Sequence, residues 1–120
     1  MRVAAEITVG AIAAVHVYIL VLEMFLWTTP RARAAFGTTE EFARESAPLA
    51  ANQGLYNGFL AAGLVWGLIA ADPVGFQAQV FFLACVIVAG VYGAATATRR
   101  ILFVQVIPGA IGLALVLAAR

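Results

Sequence analysis

Four long apolar stretches, separated by shorter polar segments, dominate the pattern of the chain. They cover residues 4–27, 50–71, 76–96 and 101–119. Each approaches the ~20 residues that a helix needs to cross a hydrocarbon core at about 1.5 Å per residue. The pattern therefore predicts an all-α fold, an integral membrane four-helix bundle in which residues 1–120 form a single four-span domain.

The connections between these stretches differ in length. The second and third stretches are joined by "AADPVG", and the third and fourth by "TATRR", and both segments are short enough to be tight turns. The first connection is longer and places Thr38 three residues before Glu41, the spacing of a capping box, in which both side chains accept hydrogen bonds from backbone amides at a helix start. We expect a short interfacial helix here that ends before Pro48, because proline interrupts helices.

The distribution of arginine predicts the orientation of the four spans. Two arginines, Arg2 and Arg120, fall on one side of the membrane. Five fall on the other side: Arg31, Arg33, Arg44, Arg99 and Arg100. Because positive residues are retained in the cytoplasm, both termini are predicted to lie outside and the long first connection inside.

The composition supports a membrane location and argues against nucleic acid as a partner. The chain is 64% hydrophobic and 11% charged, whereas soluble domains carry about 25% charged residues. Its mean hydropathy is +1.01. The net charge is +1 and there is no lysine, so the chain lacks the basic patch of a nucleic-acid-binding protein. The lipid bilayer is the partner that this composition predicts.

Two ionisable residues interrupt the first apolar stretch. His16 and Glu23 are seven residues apart and therefore lie within about 20° of each other on a helix, with Trp27 on the same stripe. Ionisable side chains inside a membrane segment are costly, so they usually face the protein interior and have a function. We predict Glu23 and His16 as catalytic residues, with Glu23 donating or accepting a proton. A structural network, in which Glu23 accepts a hydrogen bond from Asn57 or Tyr92, is the alternative.

Further polar residues are predicted at a depth similar to that of Glu23. The predicted orientation gathers them, together with Thr96, in the cytoplasmic half of the bundle. Those expected to bind a ligand are Trp27, Asn52, Gln53, Tyr56, Asn57, Tyr92 and Gln105. Structural alternatives exist here as well, since Trp27 fits an interfacial belt, Asn52 a helix cap and Gln105 an interhelical hydrogen bond. The grouping predicts a polar intramembrane pocket that opens toward the cytoplasm.

The sequence predicts neither a metal site nor a cofactor. It contains no glycine-rich phosphate-binding motif and no cluster of cysteine and histidine, the residues that bind transition metals. The single cysteine, Cys85, lies in an apolar stretch and is expected to be a small buried hydrophobic residue. Any reaction at the predicted pocket would therefore use side chains of the protein alone.

Two segments, "LEMFLWTTPRARAAFG" and "ANQGLYNGFLAAGL", resemble an uncharacterised domain-of-unknown-function family, number 1304, of small four-helix bacterial integral membrane proteins. The resemblance covers nearly the whole chain. It implies four spans in the bacterial cytoplasmic (inner) membrane, and it implies no catalytic residue.

Two functions follow from these observations. The first is binding of a small lipophilic molecule in the pocket, with proton transfer of an isomerase or cyclase type. The second is a small proton-coupled transporter that acts as a homodimer through Glu23, because the chain resembles small multidrug exporters in length and number of helices. Small residues such as Ala89 and Gly93, four apart, allow close helix packing either within the bundle or between two copies. A purely structural membrane partner is a third interpretation.

Overall fold

A computed structural model describes all residues, 1–120, and consists of helices joined by turns, with no strands. The helices are α1 (Arg2–Met24), α2 (Pro30–Phe36), α3 (Glu40–Ile69), α4 (Val74–Thr96) and α5 (Ile107–Ala118), with a π-helix over Leu102–Val106 that leads into α5. The predicted all-α class is confirmed.

Two of these helices are long and apolar enough to cross a membrane. They are α1 and α4, with mean hydropathies of 2.0 and 2.1. The apolar helix over Leu102–Ala118 is shorter, and α3 carries three carboxamides that lower its hydropathy: Asn52, Gln53 and Asn57. Association with a membrane is supported by α1 and α4, whereas the crossing of all four predicted spans stays a prediction.

The first connection differs from its prediction. It does contain a short helix, α2, but this begins at Pro30, where Thr29 caps the helix through its side chain, and ends at Gly37, whose φ of 69° is left-handed. Proline suits a first helical position and glycine suits a left-handed cap. The predicted short helix between Thr38 and Pro48 is wrong, because α3 begins at Glu40 and continues to Ile69.

The start of α3 explains this difference. The Oγ1 atom of Thr39, not that of Thr38, accepts a hydrogen bond from the backbone N–H of Phe42 at 3.1 Å, while Thr38 Oγ1 is buried without a partner. Pro48 lies inside α3 and is exposed. The alanine and leucine residues around Pro48 favour helix on both sides, and the helix continues past it.

Contacts between residues divide the chain into two compact units. One consists of residues 1–14 and 60–120, and the other of residues 15–59. The first unit has an apolar core whose fully buried members include Val9, Leu64, Leu83 and Val86. The prediction of a single domain stays a prediction.

An ion cluster at one end of the first unit joins the two chain termini to the connection between α3 and α4. Asp72 accepts two hydrogen bonds from Arg120, at 2.6 and 2.8 Å, and one from Arg2 at 2.8 Å. The guanidinium of Arg120 also stacks over the ring of Phe76, 4.3 Å from its centroid. The start of α1, the start of α4 and the end of α5 therefore meet at the same end of this unit.

Candidate functional site

The centre of the candidate site is a buried carboxyl and amide pair in the unit of residues 15–59. Glu23 lies in the last turn of α1, and its Oε1 accepts a hydrogen bond of 2.6 Å from Nδ2 of Asn57 on α3. Both residues are 7% exposed. The structure thus brings together two predicted site residues that are 34 positions apart in the sequence.

Close packing of the two helices makes this hydrogen bond possible. A Cβ atom at Gly54 would lie 2.6 Å from Met24 Cγ, 3.1 Å from Glu23 Cβ and 3.3 Å from the backbone oxygen of Leu20. One turn further along α3, a Cβ at Gly58 would meet only the end of the Leu20 side chain, at 2.7 Å. Glycine at position 54 therefore lets the backbone of α3 approach α1 beside Glu23.

Asn57 is held by a second hydrogen bond within its own helix. Its Nδ2 atom also donates to the backbone oxygen of Gln53 at 3.3 Å. The side-chain amide is thereby fixed between α3 and the Glu23 carboxyl. The contribution of Gln53 to this arrangement comes from its backbone, since the side chain of Gln53 is exposed.

His16 is the most buried of the predicted site residues, with no exposed surface. It lies on α1 two turns before Glu23, which corresponds to about 10 Å along the helix axis at 1.5 Å per residue. This distance is too long for a direct hydrogen bond between the two side chains. The predicted coupling of His16 to Glu23 through a ligand or a water chain stays a prediction.

Trp27 lies beyond the end of α1, because the helix stops at Met24. The prediction that Trp27 lies on the same helical face as Glu23 is therefore wrong. Trp27 instead donates a hydrogen bond of 3.0 Å from Nε1 to Oγ of Ser46, and its ring lies 4.9 Å from that of Phe36. Neither contact was predicted, since neither Ser46 nor Phe36 has a periodic relation to Trp27.

The other predicted ligand-binding residues are more exposed. Asn52 is exposed, and so is Tyr56, at 53%, whose ring packs edge-on against Phe59 at 5.7 Å. Tyr92 is 71% exposed, and its backbone oxygen accepts a hydrogen bond from Thr96 within α4. Their predicted role in ligand binding stays a prediction.

Gln105 lies in the π-helix and is half-buried. The sequence predicted a regular helix at this position. In the structure the N–H of Ile107 bonds to the oxygen of Leu102, five residues earlier. The next residue, Pro108, has no N–H to donate. A Cβ at Gly90 would lie 3.0 Å from Gln105 Cβ, so α4 and the π-helix are in close contact at this point.

Two cavities lie in the unit of residues 1–14 and 60–120. One is a small space of about 20 Å³ next to the ion cluster, lined in part by Arg2, Glu6 and Arg120. The other is an open groove of about 530 Å³ along one face of α4, lined by Phe81, Ala84, Cys85, Val88, Ala89 and Tyr92. Cys85 is half-buried rather than buried, because it faces this groove. No three histidine, cysteine or acidic side chains lie close enough together to hold a metal ion.

Comparison with known proteins gives a family and no activity. No curated protein and no solved structure matches the chain. The family described as "Protein of unknown function (DUF1304)" matches residues 10–117, and with it the resemblance seen in the sequence is confirmed. Since the match spans both units and includes Glu23 and Asn57, the chain belongs to the DUF1304 family.

Proposed function

We propose that this protein binds a small lipophilic molecule within the membrane, at the Glu23–Asn57 pair. The single observation that carries the proposal is the hydrogen bond of 2.6 Å between these two residues, both of which are buried, at the end of an apolar helix that is long enough to cross a membrane. An acid placed there is expensive to desolvate. A ligand that is recognised by the carboxyl group offsets that cost.

The chemistry of the pair supports a ligand site more than a packing contact. Serine or threonine could provide an interhelical hydrogen bond without the cost of burying an ionisable group, and such bonds contribute only about 0.6 kcal/mol on average in membrane proteins. Glycine at position 54 brings the backbone of α3 close to Glu23. The close approach of α3 at Gly54 therefore accommodates the buried carboxyl group of Glu23.

Proton transfer is the reaction that Glu23 could carry out on such a ligand. A carboxyl group in hydrogen-bond range of a bound molecule can act as a general acid or base. In this proposal Glu23 exchanges a proton with the ligand, as in an isomerase or cyclase, and His16, fully buried on the same helix, is the residue with which Glu23 shares protons through the site.

The proposal places the protein in the bacterial inner membrane with four crossings and both termini outside. Contacts of Asp72 with both Arg2 and Arg120 support an even number of crossings, because they hold the two ends of the chain at the same end of one unit. A cysteine introduced at Asp72 should react with an impermeant maleimide from outside, and one at Gly37 should react only after permeabilisation. Both variants would carry Cys85→Ala, and the reverse labelling pattern would contradict this orientation.

Mass spectrometry of the protein purified from its membrane tests the proposed function. We expect a lipophilic molecule to be retained by the wild type and by Glu6→Gln, an exposed acid on the same helix, and to be lost from Glu23→Gln. Equal retention by all three proteins would contradict the proposal. In liposomes, substrate flux driven by a proton gradient and abolished by Glu23→Gln would favour the transporter instead.

A further inference from the structure

The hydrogen-bonding capacity of the Glu23–Asn57 pair restricts the chemical class of its ligand. We infer that the pair, with Glu23 ionised, recognises a head group that donates a hydrogen bond, either a hydroxyl or an amine on a lipophilic tail. This inference rests on the proposed function and makes it more specific. It excludes ethers, esters and anionic head groups.

With Glu23 ionised, the hydrogen-bond donors of the pair are the two N–H groups of the Asn57 amide. A carboxamide has two N–H donors and a carboxylate has none. Nδ2 of Asn57 has two acceptors within range, Glu23 Oε1 at 2.6 Å and the backbone oxygen of Gln53 at 3.3 Å. Both donors of the pair are therefore used inside the protein.

Two oxygen atoms of the pair are left to interact with a ligand. Glu23 has a second carboxylate oxygen, and Asn57 has a carbonyl oxygen, and both atoms are acceptors. Only Thr38 Oγ1 is a buried side-chain polar atom without a partner, so neither of these two oxygens is enclosed and orphaned. A ligand that reaches them meets acceptors only.

The α1 atoms nearest to Gly54 and Gly58, beside the pair, belong to Leu20, Glu23 and Met24. The side chains of Leu20 and Met24 carry no N–H or O–H donor. Gly54 has no side chain, and the backbone amides in the interior of α1 and α3 are bonded within their helices. Among these groups an ether or ester oxygen finds no donor, and an anionic head group would lie next to acceptors.

Four probes separate these classes: three with a ten-carbon tail, 1-decanol, decylamine and decyl methyl ether, and one with a nine-carbon tail, decanoate. Native mass spectrometry of the full-length protein in detergent counts the molecules bound. We expect decanol and decylamine to bind the wild type at least about tenfold better than the ether and decanoate, the effect of one hydrogen bond gained or left unmade. Equal tails keep the apolar contribution constant for the alcohol, ether and amine.

Two variants make the test specific to Glu23. In Glu23→Gln the amide oxygen can accept the hydrogen bond from Asn57, which leaves an NH2 donor where the wild type has its second carboxylate oxygen. The binding preference should therefore move from the alcohol toward the ether. Glu6→Gln should leave the preference unchanged. Circular dichroism of the three proteins should show equal helix content, so that a loss of binding is not a loss of the fold.

The outcomes distinguish this inference from the proposed function. If the ether or decanoate binds the wild type as well as decanol does, and Glu23→Gln abolishes that binding, the restriction to donors is wrong while the site at Glu23 stands. If no probe distinguishes the wild type from Glu23→Gln, both the restriction and the proposed site are wrong.

Discussion

Asn57 on α3 donates its amide hydrogen to the Glu23 carboxyl on α1 across 2.6 Å, and both side chains are buried. The hydrogen bond joins the last turn of α1 to the middle of α3. Because the amide is also bonded to the backbone oxygen of Gln53, its orientation is set within the protein. The pair is therefore a structural contact between the two helices, and its role in ligand binding is our proposal.

Removal of the amide should destabilise the protein. Asn57→Ala leaves the Glu23 carboxyl buried without its donor, which costs about 1–3 kcal/mol for an unsatisfied polar group. Asn52→Ala, an exposed amide on the same helix, should change the free energy of unfolding by less than about 0.5 kcal/mol. Unfolding in mixed micelles of increasing SDS content measures both, and equal effects of the two substitutions would contradict a special role for Asn57.

The two glycines of α3 that face α1 should differ in their tolerance of a methyl group. Gly54→Ala brings Cβ against Met24 Cγ, Glu23 Cβ and the backbone of Leu20, so the helices must separate and the Glu23–Asn57 bond must lengthen. Gly58→Ala meets only the end of one leucine side chain, which can rotate away. We expect Gly54→Ala to lose ligand retention and about 1–3 kcal/mol of stability, the usual cost of overpacking.

Gly58→Ala is the matched control for this experiment. It should keep the ligand and stay within about 1 kcal/mol of the wild type, because helix propensity favours alanine over glycine by a similar amount. Equal losses in the two variants would show that close approach at Gly54 is not what positions the pair.

The ion cluster should make stability depend on acidic pH. Hydrogen bonds from Arg120, and then from Arg2, hold the pKa of Asp72 well below its usual range. A depressed carboxyl pKa in the folded state means that the cluster contributes fully above the unfolded pKa near 3.8 and that this contribution is lost as the pH falls below it. The side chains of Arg120 and Asp72 are 34% and 35% exposed, so solvent and salt weaken the effect.

Thermal unfolding at several pH values measures this contribution. Asp72→Asn should lower the melting temperature at pH 7, and the difference from the wild type should shrink between pH 4 and pH 2. Glu40→Gln, which removes an exposed pair with Arg44, is the control and should have little effect. A difference for Asp72→Asn that is independent of pH would contradict the assigned ionisation.

The contact between Trp27 and Ser46 gives a spectroscopic prediction for the connection that follows α1. In a Trp66→Phe background, the emission of Trp27 reports on its indole N–H, which donates to Ser46 Oγ at 3.0 Å. Ser46→Ala removes the acceptor and should shift the emission and increase its quenching by acrylamide. An unchanged spectrum and unchanged quenching would mean that this hydrogen bond does not hold Trp27 in place.

Much of the helical pattern could be predicted from the sequence, because apolar runs that are bounded by polar turns have few alternatives to helix. Thr38 and Thr39 show where such reasoning fails. Adjacent threonines compete for the cap, and the choice depends on which backbone amide comes within reach. The predicted helix end before Pro48 was wrong because an exposed proline can remain in a helix when the flanking residues strongly favour helix.

The site could be predicted in part. Burial of Glu23 follows from the cost of an acid in an apolar stretch. Its pairing with Asn57 was one of two possibilities, with Tyr92, and belonged to the structural alternative. The partners of Trp27 could not be predicted, because α1 ends at Met24 and helical periodicity no longer relates Trp27 to the residues before it. The exposure of Tyr92 could not be predicted either, since α4 is apolar around its whole circumference.

Photolabelling with a diazirine derivative of 1-decanol tests the central claim, that a lipophilic molecule binds at the Glu23–Asn57 pair. In the wild type and in Glu6→Gln we expect label in the peptides that contain Glu23 or Asn57, reduced by an excess of unlabelled decanol. Glu23→Gln should lose this label and keep the background on exposed apolar positions such as Val88. Labelling that is spread over apolar surfaces, insensitive to competitor and unchanged in Glu23→Gln would contradict the claim.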